Sequence, residues 1–409
     1  MIGKNTIFAS ISMGVNYLVP LLSIPILSSR LSIDDLGSVL VFQALVLIFC
    51  QVVDFGFSIT GTRAAANVIN RKDLSNLINE VIFSKLFIAL VAVLLLFFLF
   101  ALNVFDFKDP HRIFYLIIAV IGNVFFLGWF FQGVSDFLSL AIINISSKFL
   151  YLAGIFLFVR TSSDTDYAML LFSLMYFLMG GGSLLLVLRS NNVEFRKVSI
   201  QKIKINLFNT FRPFASIFLL SFHTQIFVAL ISMSFGDDVA ASTATADKIV
   251  RGIAVAMSPL TITMFPILSR RFNNGDYAEY RMMWKRITIL IVILSITSSI
   301  SLFFFSDFIS QLFFKSNYLE LSCYIKKLSL QPFFIGLGVM LGGLGLIIIG
   351  DDGWYLLSIC TAEILALIIF AIFWKIGNRD AGIYGLIIAD VSMCFMFAIG
   401  YIKRGFYGK

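Results

Sequence analysis

The sequence predicts an all-α membrane protein of about twelve transmembrane helices. Its 409 residues are 59% hydrophobic and only 13% charged, whereas soluble domains have about half apolar and a quarter charged residues. Apolar runs of about 20 residues, the length that crosses a bilayer as a helix, recur from one end of the chain to the other. Lys and Arg concentrate in alternate loops between these runs, which is typical of multi-pass membrane proteins.

The individual spans follow from the charged, Gly, Asn and Asp residues that interrupt the apolar runs. With the N-terminus in the cytoplasm most Lys and Arg fall in inner loops, so both termini are predicted to be cytoplasmic. The longest outer loop is then Ser306–Leu330. The predicted spans are Ile7–Leu27, Ser38–Ser58, Glu80–Leu102, Ile113–Gly133, Leu138–Arg160, Tyr167–Leu188, Phe211–Phe235, Ala240–Leu268, Ile287–Phe305, Gln331–Gly350, Trp354–Trp374 and Gly382–Tyr401.

A basic loop near the middle of the chain divides the predicted spans into two sets of six. The halves also share an acidic pair beside Gly, in SRLSIDDLG after the first span and in SMSFGDDVA after the seventh. We therefore predict an N-terminal six-helix lobe over residues 1–188, a basic cytoplasmic linker over 189–205 and a C-terminal six-helix lobe over 206–409. Repeats of this kind place the substrate path in a central cavity between the halves.

Several kinds of chemistry lack their motif in this sequence. There is no GxxxxGK[ST] phosphate loop, and no CxxC spacing suggests a zinc site or a disulfide framework. The net charge of +8 is spread over short loops, so topology explains it better than nucleic-acid binding. We expect no enzyme activity, cofactor, metal site or nucleic-acid partner. The scattered cysteines and histidines are Cys50, Cys323, Cys360, Cys394, His111 and His223.

Basic side chains inside the predicted spans are candidate functional residues, because an ionised group at membrane depth is costly and normally faces a water-filled cavity or a bundle interior. Lys148 lies near the middle of its span. Lys248 and Arg251 share a helix face, and Asp247 lies four residues before Arg251 as a possible ion-pair partner. Anion binding and ion pairing at the interface are both open for this group.

The acidic candidates are Asp54, Glu363 and Asp390. Asp54 and Lys85 approach the same ends of neighbouring spans, so a structural ion pair and a functional role are both open. Glu363 and Asp390 lie in consecutive spans whose apolar stretches contain no basic residue. Because desolvation penalises an ionised carboxylate, Glu363 and Asp390 are candidates for proton or sodium coupling, with polar packing as their alternative. Asp54 is a third candidate for ion coupling.

Five segments resemble the Wzx-type O-antigen flippases of the multidrug/oligosaccharidyl-lipid/polysaccharide exporter superfamily. They are NYLVPLLSIPILSSRLSIDDLG (Asn16–Gly37), DFGFSITGTRAAA (Asp54–Ala66), VIFSK (Val81–Lys85), GWFFQG (Gly128–Gly133) and, in the eighth predicted span, ATADKIVRGIAVAMSPLTITMFPILSR (Ala244–Arg270). The order and spacing of the segments carry the resemblance, which is best over residues 5–134.

The resemblance implies a flippase that moves undecaprenyl-diphosphate-linked O-antigen units from the cytoplasmic to the periplasmic leaflet of the bacterial inner membrane, by alternating access, in lipopolysaccharide biosynthesis. The implied partners are the lipid-linked oligosaccharide, membrane lipids, H⁺ or Na⁺ as a coupling ion, an O-antigen polymerase and a chain-length regulator. A diphosphate needs fixed cations, for which the candidates are Arg30, Arg63, Lys148, Lys248 and Arg251. The candidates for sugar contact are Asn16, Tyr17, Asn144 and Gln225.

Two alternatives stay open beside the flippase. A drug/cation antiporter of the same superfamily tends to have a carboxylate in its first span, but Ile7–Leu27 contains no Asp or Glu. An O-antigen polymerase or ligase needs a large periplasmic loop with basic catalytic residues, and every predicted outer loop is short.

Overall fold

The computed structural model describes residues 2–68, 70–102, 109–191, 196–314 and 318–403. These residues form helices joined by short turns, and the chain divides into an N-terminal unit, residues 1–229, and a C-terminal unit, residues 230–409. The boundary between the units falls inside a helix of 36 residues. The lobe boundaries expected at 189–205 stay a prediction.

The N-terminal unit contains eight helices and most of a ninth within the described ranges. They are α1 (Ile2–Ser28), α2 (Ile33–Asp54), α3 (Phe57–Asn67), α4 (Arg71–Ala101), α5 (Arg112–Phe125), α6 (Gly128–Gly133), α7 (Phe137–Phe158), α8 (Thr165–Asn191) and α9 (Ile200–Phe235). A short 3₁₀ turn, Ser162–Asp164, precedes α8.

The C-terminal unit begins with the last turns of α9. Its other helices are α10 (Asp237–Val255), α11 (Ser258–Asn273), α12 (Tyr277–Phe313), α13 (Tyr318–Leu328), α14 (Gln331–Gly338), a π-helical segment (Val339–Leu346), α15 (Asp352–Lys375) and α16 (Ala381–Lys403).

Polar side chains at the turns begin several of these helices. The Ser32 hydroxyl accepts a hydrogen bond from the backbone N–H of Asp35 at 3.2 Å, and the Asp136 carboxylate accepts one from Ser139 at 3.1 Å. These caps satisfy N–H groups that a helix leaves without an internal partner. They fix where α2 and α7 start after each loop.

Eight described helices are long and apolar enough to cross a membrane, and a ninth span results when α13 is joined to the segment that follows it. Nine of the predicted spans correspond to these elements. The other three, Ile7–Leu27, Phe211–Phe235 and Ala240–Leu268, do not reach the same length and apolarity in the described residues. The arrangement of about twelve spans with both termini in the cytoplasm therefore stays a prediction.

The eighth predicted span, Ala240–Leu268, is not one continuous helix. Helix α10 ends at Val255 and α11 begins at Ser258, with a proline in its first turn. Between them the backbone N–H of Ala256 bonds to the carbonyl of Ile253, and that of Met257 bonds to Ala254. Proline has no N–H to donate and disfavours helical geometry before it, so the span prediction was wrong at this break.

The expected outer loop Ser306–Leu330 is also mostly helical. Helix α12 continues to Phe313, and α13 occupies Tyr318–Leu328. Helix α13 and the segment Gln331–Leu346 are together long and apolar enough for one span, with a bend of 40° at residues 329–330. The charged residues of α13 gave this segment the appearance of a loop.

Two glycines set the distance between α5 and α8. A Cβ atom added at Gly122 would lie 2.5 Å from the Phe177 Cα, and one added at Gly180 would overlap the carbonyl oxygen of Gly122. Small residues allow helix backbones to approach this closely in membranes. Gly180 makes this close approach, whereas a Cβ atom at Gly181 or Gly182 would extend into open space.

Aromatic side chains of α12 satisfy carbonyls of the π-helical segment. The Tyr280 hydroxyl donates to the Leu344 carbonyl at 2.8 Å, and the Trp284 indole N–H donates to Met340 at 3.2 Å. Irregular backbone at membrane depth is tolerated where protein groups supply such partners. The glycine-rich sequence from Gly342 to Gly345 permits the unusual winding without crowding.

Candidate functional site

One face of α7 carries polar residues at successive helical turns. Asn144, Lys148 and Tyr151 are buried, and their spacing of four and three residues places them on the same side of the helix. The Asn144 amide donates to the Ser12 hydroxyl at 3.0 Å, and the Lys148 ammonium donates to the Asn16 carbonyl oxygen. A polar strip therefore runs along the interface of α1 and α7.

A third contact extends this strip toward α2. The Gln43 amide donates to the Tyr151 hydroxyl at 3.2 Å, and both side chains are buried. Gln43, Tyr151 and Ser12 were not among the predicted site residues. Tyr151 could have been found, because it lies seven residues after Asn144 on the same helix face.

Lys148 is a buried cation that donates a hydrogen bond to a neutral amide. Its residue is 7% exposed, and no described carboxylate forms an ion pair with it, in contrast to other buried cations of the chain. Neither α1 nor α7 contains Asp or Glu. Within the described residues the charge of this strip is therefore positive, and an ammonium at membrane depth is a candidate for anion binding.

The other two predicted cations of the N-terminal unit are separate from Lys148. Arg30 donates to the carbonyls of Phe156 at 2.6 Å and Val159 at 2.5 Å, at the end of α7, and its guanidinium lies 4.9 Å from the Phe156 ring centroid. It thereby caps α7, roughly 12–16 Å from Lys148 along the helix axis. Arg63 is exposed on α3.

In the C-terminal unit, Arg251 lies between two carboxylates. Its Nε is 2.7 Å from Asp247 on the same helix and its Nη2 is 3.1 Å from Asp390 on α16. The expected pair between Asp247 and Arg251 is confirmed. Lys248 is half-buried beside them on α10. Two carboxylates already neutralise Arg251, so this arrangement favours an ion-pair network over an anion site.

The pairing of Asp390 removes one premise of its predicted coupling role. The predicted span that contains Asp390 has no basic residue, but the Arg251 side chain on α10 donates a hydrogen bond to the Asp390 carboxylate. Glu363 is also buried, on α15. The roles of Asp390 and Glu363 in ion coupling stay predictions.

Asp54 takes part in a structural ion pair of the N-terminal unit. Its Oδ1 lies 2.9 Å from the Lys85 ammonium, which is fully buried, and its Oδ2 accepts a hydrogen bond from the backbone N–H of Ser58 at 3.2 Å. The carboxylate thus fixes the turn between α2 and α3. The pair with Lys85 is confirmed, and a coupling role for Asp54 stays a prediction.

The predicted sugar contacts are only partly brought together. Asn16 and Asn144 lie on the strip beside Lys148, whereas Gln225 lies on α9 and bonds to the adjacent Thr224 hydroxyl at 3.2 Å. The side chain of Tyr17 lies outside the described part of the structure.

Comparison with known families identifies the chain. The model of the family described as "Polysaccharide biosynthesis protein" matches residues 2–272. The chain belongs to this family. The family match spans α1 to α11 and so includes the polar strip of α1 and α7.

Two curated proteins with similar sequences support this assignment. The chain is 24% identical over 341 residues to the "Putative O-antigen transporter" of Shigella dysenteriae, and the match covers 83% of this chain and 84% of the relative. It is 26% identical over 267 residues to the protein of the same name from Escherichia coli (strain K12), covering 65% and 64% respectively. The resemblance to O-antigen transport proteins seen in the sequence is confirmed.

Two solved structures have a fold similar to that of this chain. An inward-facing multidrug resistance MATE family transporter of the MOP superfamily matches with a TM-score of 0.75 at 15% identity, over 98% of both chains. Lipid II flippase MurJ in an inward closed conformation matches with a TM-score of 0.72 at 14% identity, over 97% of this chain and 87% of MurJ. With its apolar helices, the chain is a multi-pass membrane protein.

Proposed function

We propose that this polysaccharide biosynthesis protein flips an undecaprenyl-diphosphate-linked O-antigen unit from the cytoplasmic to the periplasmic leaflet of the bacterial inner membrane, by alternating access of its two halves. The family match and the O-antigen transporter relatives support a lipid-linked oligosaccharide as cargo. The protein moves its substrate without covalent chemistry.

The burial of Lys148 and its contact with an amide are the observation that supports this proposal most directly. A diphosphate crossing the membrane needs a fixed cation within hydrogen-bonding reach. Lys148 is buried in the middle of α7 and is bound to an amide of α1 in place of a carboxylate. Because the amide is a weak partner for an ammonium, a phosphate oxygen gains a charge-assisted hydrogen bond when it takes that place.

The neighbouring amides suit the sugar next to the phosphate. Asn16 and Asn144 each present both a carbonyl acceptor and an amide donor, and sugar hydroxyls require both. Because Asn16 contacts the Lys148 ammonium and Asn144 lies one helical turn before Lys148 on α7, a sugar can bond to these amides while its phosphate remains at the ammonium. The same strip would then hold the polar head of the lipid-linked substrate.

The test replaces Lys148 and measures flipping of a fluorescent lipid-linked oligosaccharide in proteoliposomes. Lys148→Ala is expected to slow flipping by about ten- to a hundredfold, the range for losing one charge-assisted hydrogen bond. Lys148→Arg is expected to retain part of the rate, since the charge stays in place. Lys375→Ala, at an exposed lysine at the end of α15, is the control and should flip at the wild-type rate.

Unchanged flipping by Lys148→Ala, at equal protein per liposome, would place the diphosphate elsewhere. Transport of organic cations by the wild type, without flipping of the lipid-linked oligosaccharide, would support the drug antiporter instead.

A further inference from the structure

A groove of about 530 Å³ lies in the C-terminal unit, where the span formed by α13 and α14 bends against α12. One wall is a face of α12 that includes Ile296, Ile300 and Phe303, and the opposite wall includes Leu330 and Phe333. Ile300, Phe303 and Leu330 are each at least half exposed. The groove is therefore an apolar recess that opens on the outside of this unit.

Two lysines at the end of α13 also line this groove. The Lys326 ammonium lies 3.1 Å from the Asp307 carboxylate on α12, and the Lys327 ammonium lies 2.5 Å from Asp380 at the start of α16. Lys326 and Asp307 are 39% and 56% exposed, and exposed ion pairs hold their partners weakly. An ammonium has three donors, so it can bind a phosphate oxygen together with a carboxylate.

We propose that this groove binds one phospholipid with an anionic headgroup, with an acyl chain along the apolar wall of α12 and the phosphate at Lys326 and Lys327. Apolar walls beside a pair of ammonium groups match the two parts of such a molecule, and basic pockets between membrane helices bind anionic headgroups. The lipid would fill the angle of the bent span and support it against α12.

The charges at the groove favour a single phosphodiester over a diphosphate. Asp307 and Asp380 lie beside the two lysines, and each further negative charge on the ligand is repelled by these carboxylates. A phosphatidylglycerol molecule carries one negative charge. This distinguishes the proposed ligand from the undecaprenyl diphosphate of the transport substrate.

The experiment uses full-length protein in lipid nanodiscs with a photoreactive group on the acyl chain of phosphatidylglycerol or phosphatidylcholine. Peptide mapping should find crosslinks concentrated at residues 296–304 and 329–333. Phosphatidylglycerol is expected to give about five times the yield of phosphatidylcholine, the factor for about one lysine near the headgroup. Ile300→Trp fills the groove and should remove most crosslinking, whereas Ile293→Trp, at an equally exposed position of α12 outside the groove, should not.

Two further substitutions should change headgroup preference in opposite directions. Lys326→Gln removes the cation and is expected to bring the two yields close to equal. Asp307→Asn removes the competing carboxylate and is expected to raise the preference for phosphatidylglycerol. Both exposed positions tolerate polar replacement, so they test the proposal even if Ile300→Trp fails to fold.

Three outcomes would overturn the proposal. They are crosslinks spread evenly over α12, equal yields for both phospholipids in the wild type, or displacement of phosphatidylglycerol from the groove by added undecaprenyl diphosphate at equal concentration.

Discussion

Lys148 and Arg251 show how similar side chains acquire different roles from their neighbours. Both are basic residues of predicted spans, but Lys148 is bound to an amide and Arg251 to two carboxylates. A buried ion pair is chiefly costly to break, because removing one partner leaves an uncompensated charge. We therefore propose the diphosphate site at Lys148, which forms no ion pair with a carboxylate among the described residues.

The network of Arg251 predicts a loss of stability when the guanidinium is removed. Arg251→Ala leaves Asp247 and Asp390 facing each other without a cation, which costs about 3–5 kcal/mol in comparable buried pairs. Thermal unfolding in detergent should show a much lower midpoint than wild type. Combining it with Asp247→Ala and Asp390→Ala should recover most of the loss.

Arg379 offers a matched control, since it pairs with Asp238 at 2.7 Å but is 57% exposed. Arg379→Ala should change the free energy of unfolding by about 1 kcal/mol or less. An Arg251→Ala protein that is as stable as wild type but inactive in flipping would restore the predicted anion site on α10.

Residue spacing in the sequence predicted the contact between Asp247 and Arg251, but it could not predict the contact between Arg251 and Asp390. Asp247 and Arg251 are four residues apart on one helix, so their contact follows from helix geometry. Arg251 and Asp390 are 139 residues apart, and only the packing of the C-terminal unit brings them together.

Among the elements, hydropathy predicted apolar runs better than it predicted breaks within them. The interruption between α10 and α11 lies inside a run that reads as one span, because a hydropathy average is insensitive to a single proline. Helix α13 was missed for the opposite reason. Its charged residues Glu320, Lys326 and Lys327 suggested a loop. Helical geometry brings Glu320 to Tyr324, and tertiary packing brings Lys326 to Asp307 and Lys327 to Asp380.

The close approach of α5 and α8 predicts a sharp difference between neighbouring glycines. Gly180→Ala places a methyl group against the Gly122 backbone, whereas Gly181→Ala extends into open space. We expect Gly180→Ala to lower the free energy of unfolding by about 1–3 kcal/mol, the usual cost of overpacking. Gly181→Ala should have little effect or a slight gain, because alanine favours helix.

Differential scanning fluorimetry of both variants in the same detergent is sufficient for this comparison. Equal midpoints for Gly180→Ala and Gly181→Ala would mean that the two helices can separate without cost.

For the whole molecule, the sequence predicted the family and the helical membrane fold, because apolar runs recur along the chain and the order and spacing of five segments resemble one family. Exact spans were less predictable. Helices α9 and α10 carry charges that lower their mean hydropathy, and the described residues contain eight to nine clear spans. Contacts between distant helices, such as that of Asn16 with Lys148, depend on tertiary packing and could be proposed only as separate candidates.

Substitutions of the buried acids Asp390 and Glu363 test whether the protein couples transport to an ion. Asp390 is paired with Arg251. This ion pair favours an Asp390 carboxylate that keeps its charge throughout transport. Glu363→Gln tests the coupling role predicted for Glu363 and is expected to weaken the stimulation of flipping by an imposed proton or sodium gradient, while Asp390→Asn should retain it. Flipping without a gradient, measured in the same proteoliposomes, is the control. Equal stimulation in wild type and Glu363→Gln would remove Glu363 from the coupling mechanism.

The position of Lys148 also has a consequence for the electrical behaviour of the protein. If access to the strip alternates between the two sides, the unbalanced ammonium experiences a different share of the transmembrane voltage in each state. Moving one elementary charge through 100 mV changes the free energy by about 2.3 kcal/mol. The return of the empty protein would therefore carry charge, and the bacterial membrane potential would set the balance between its inward-open and outward-open forms.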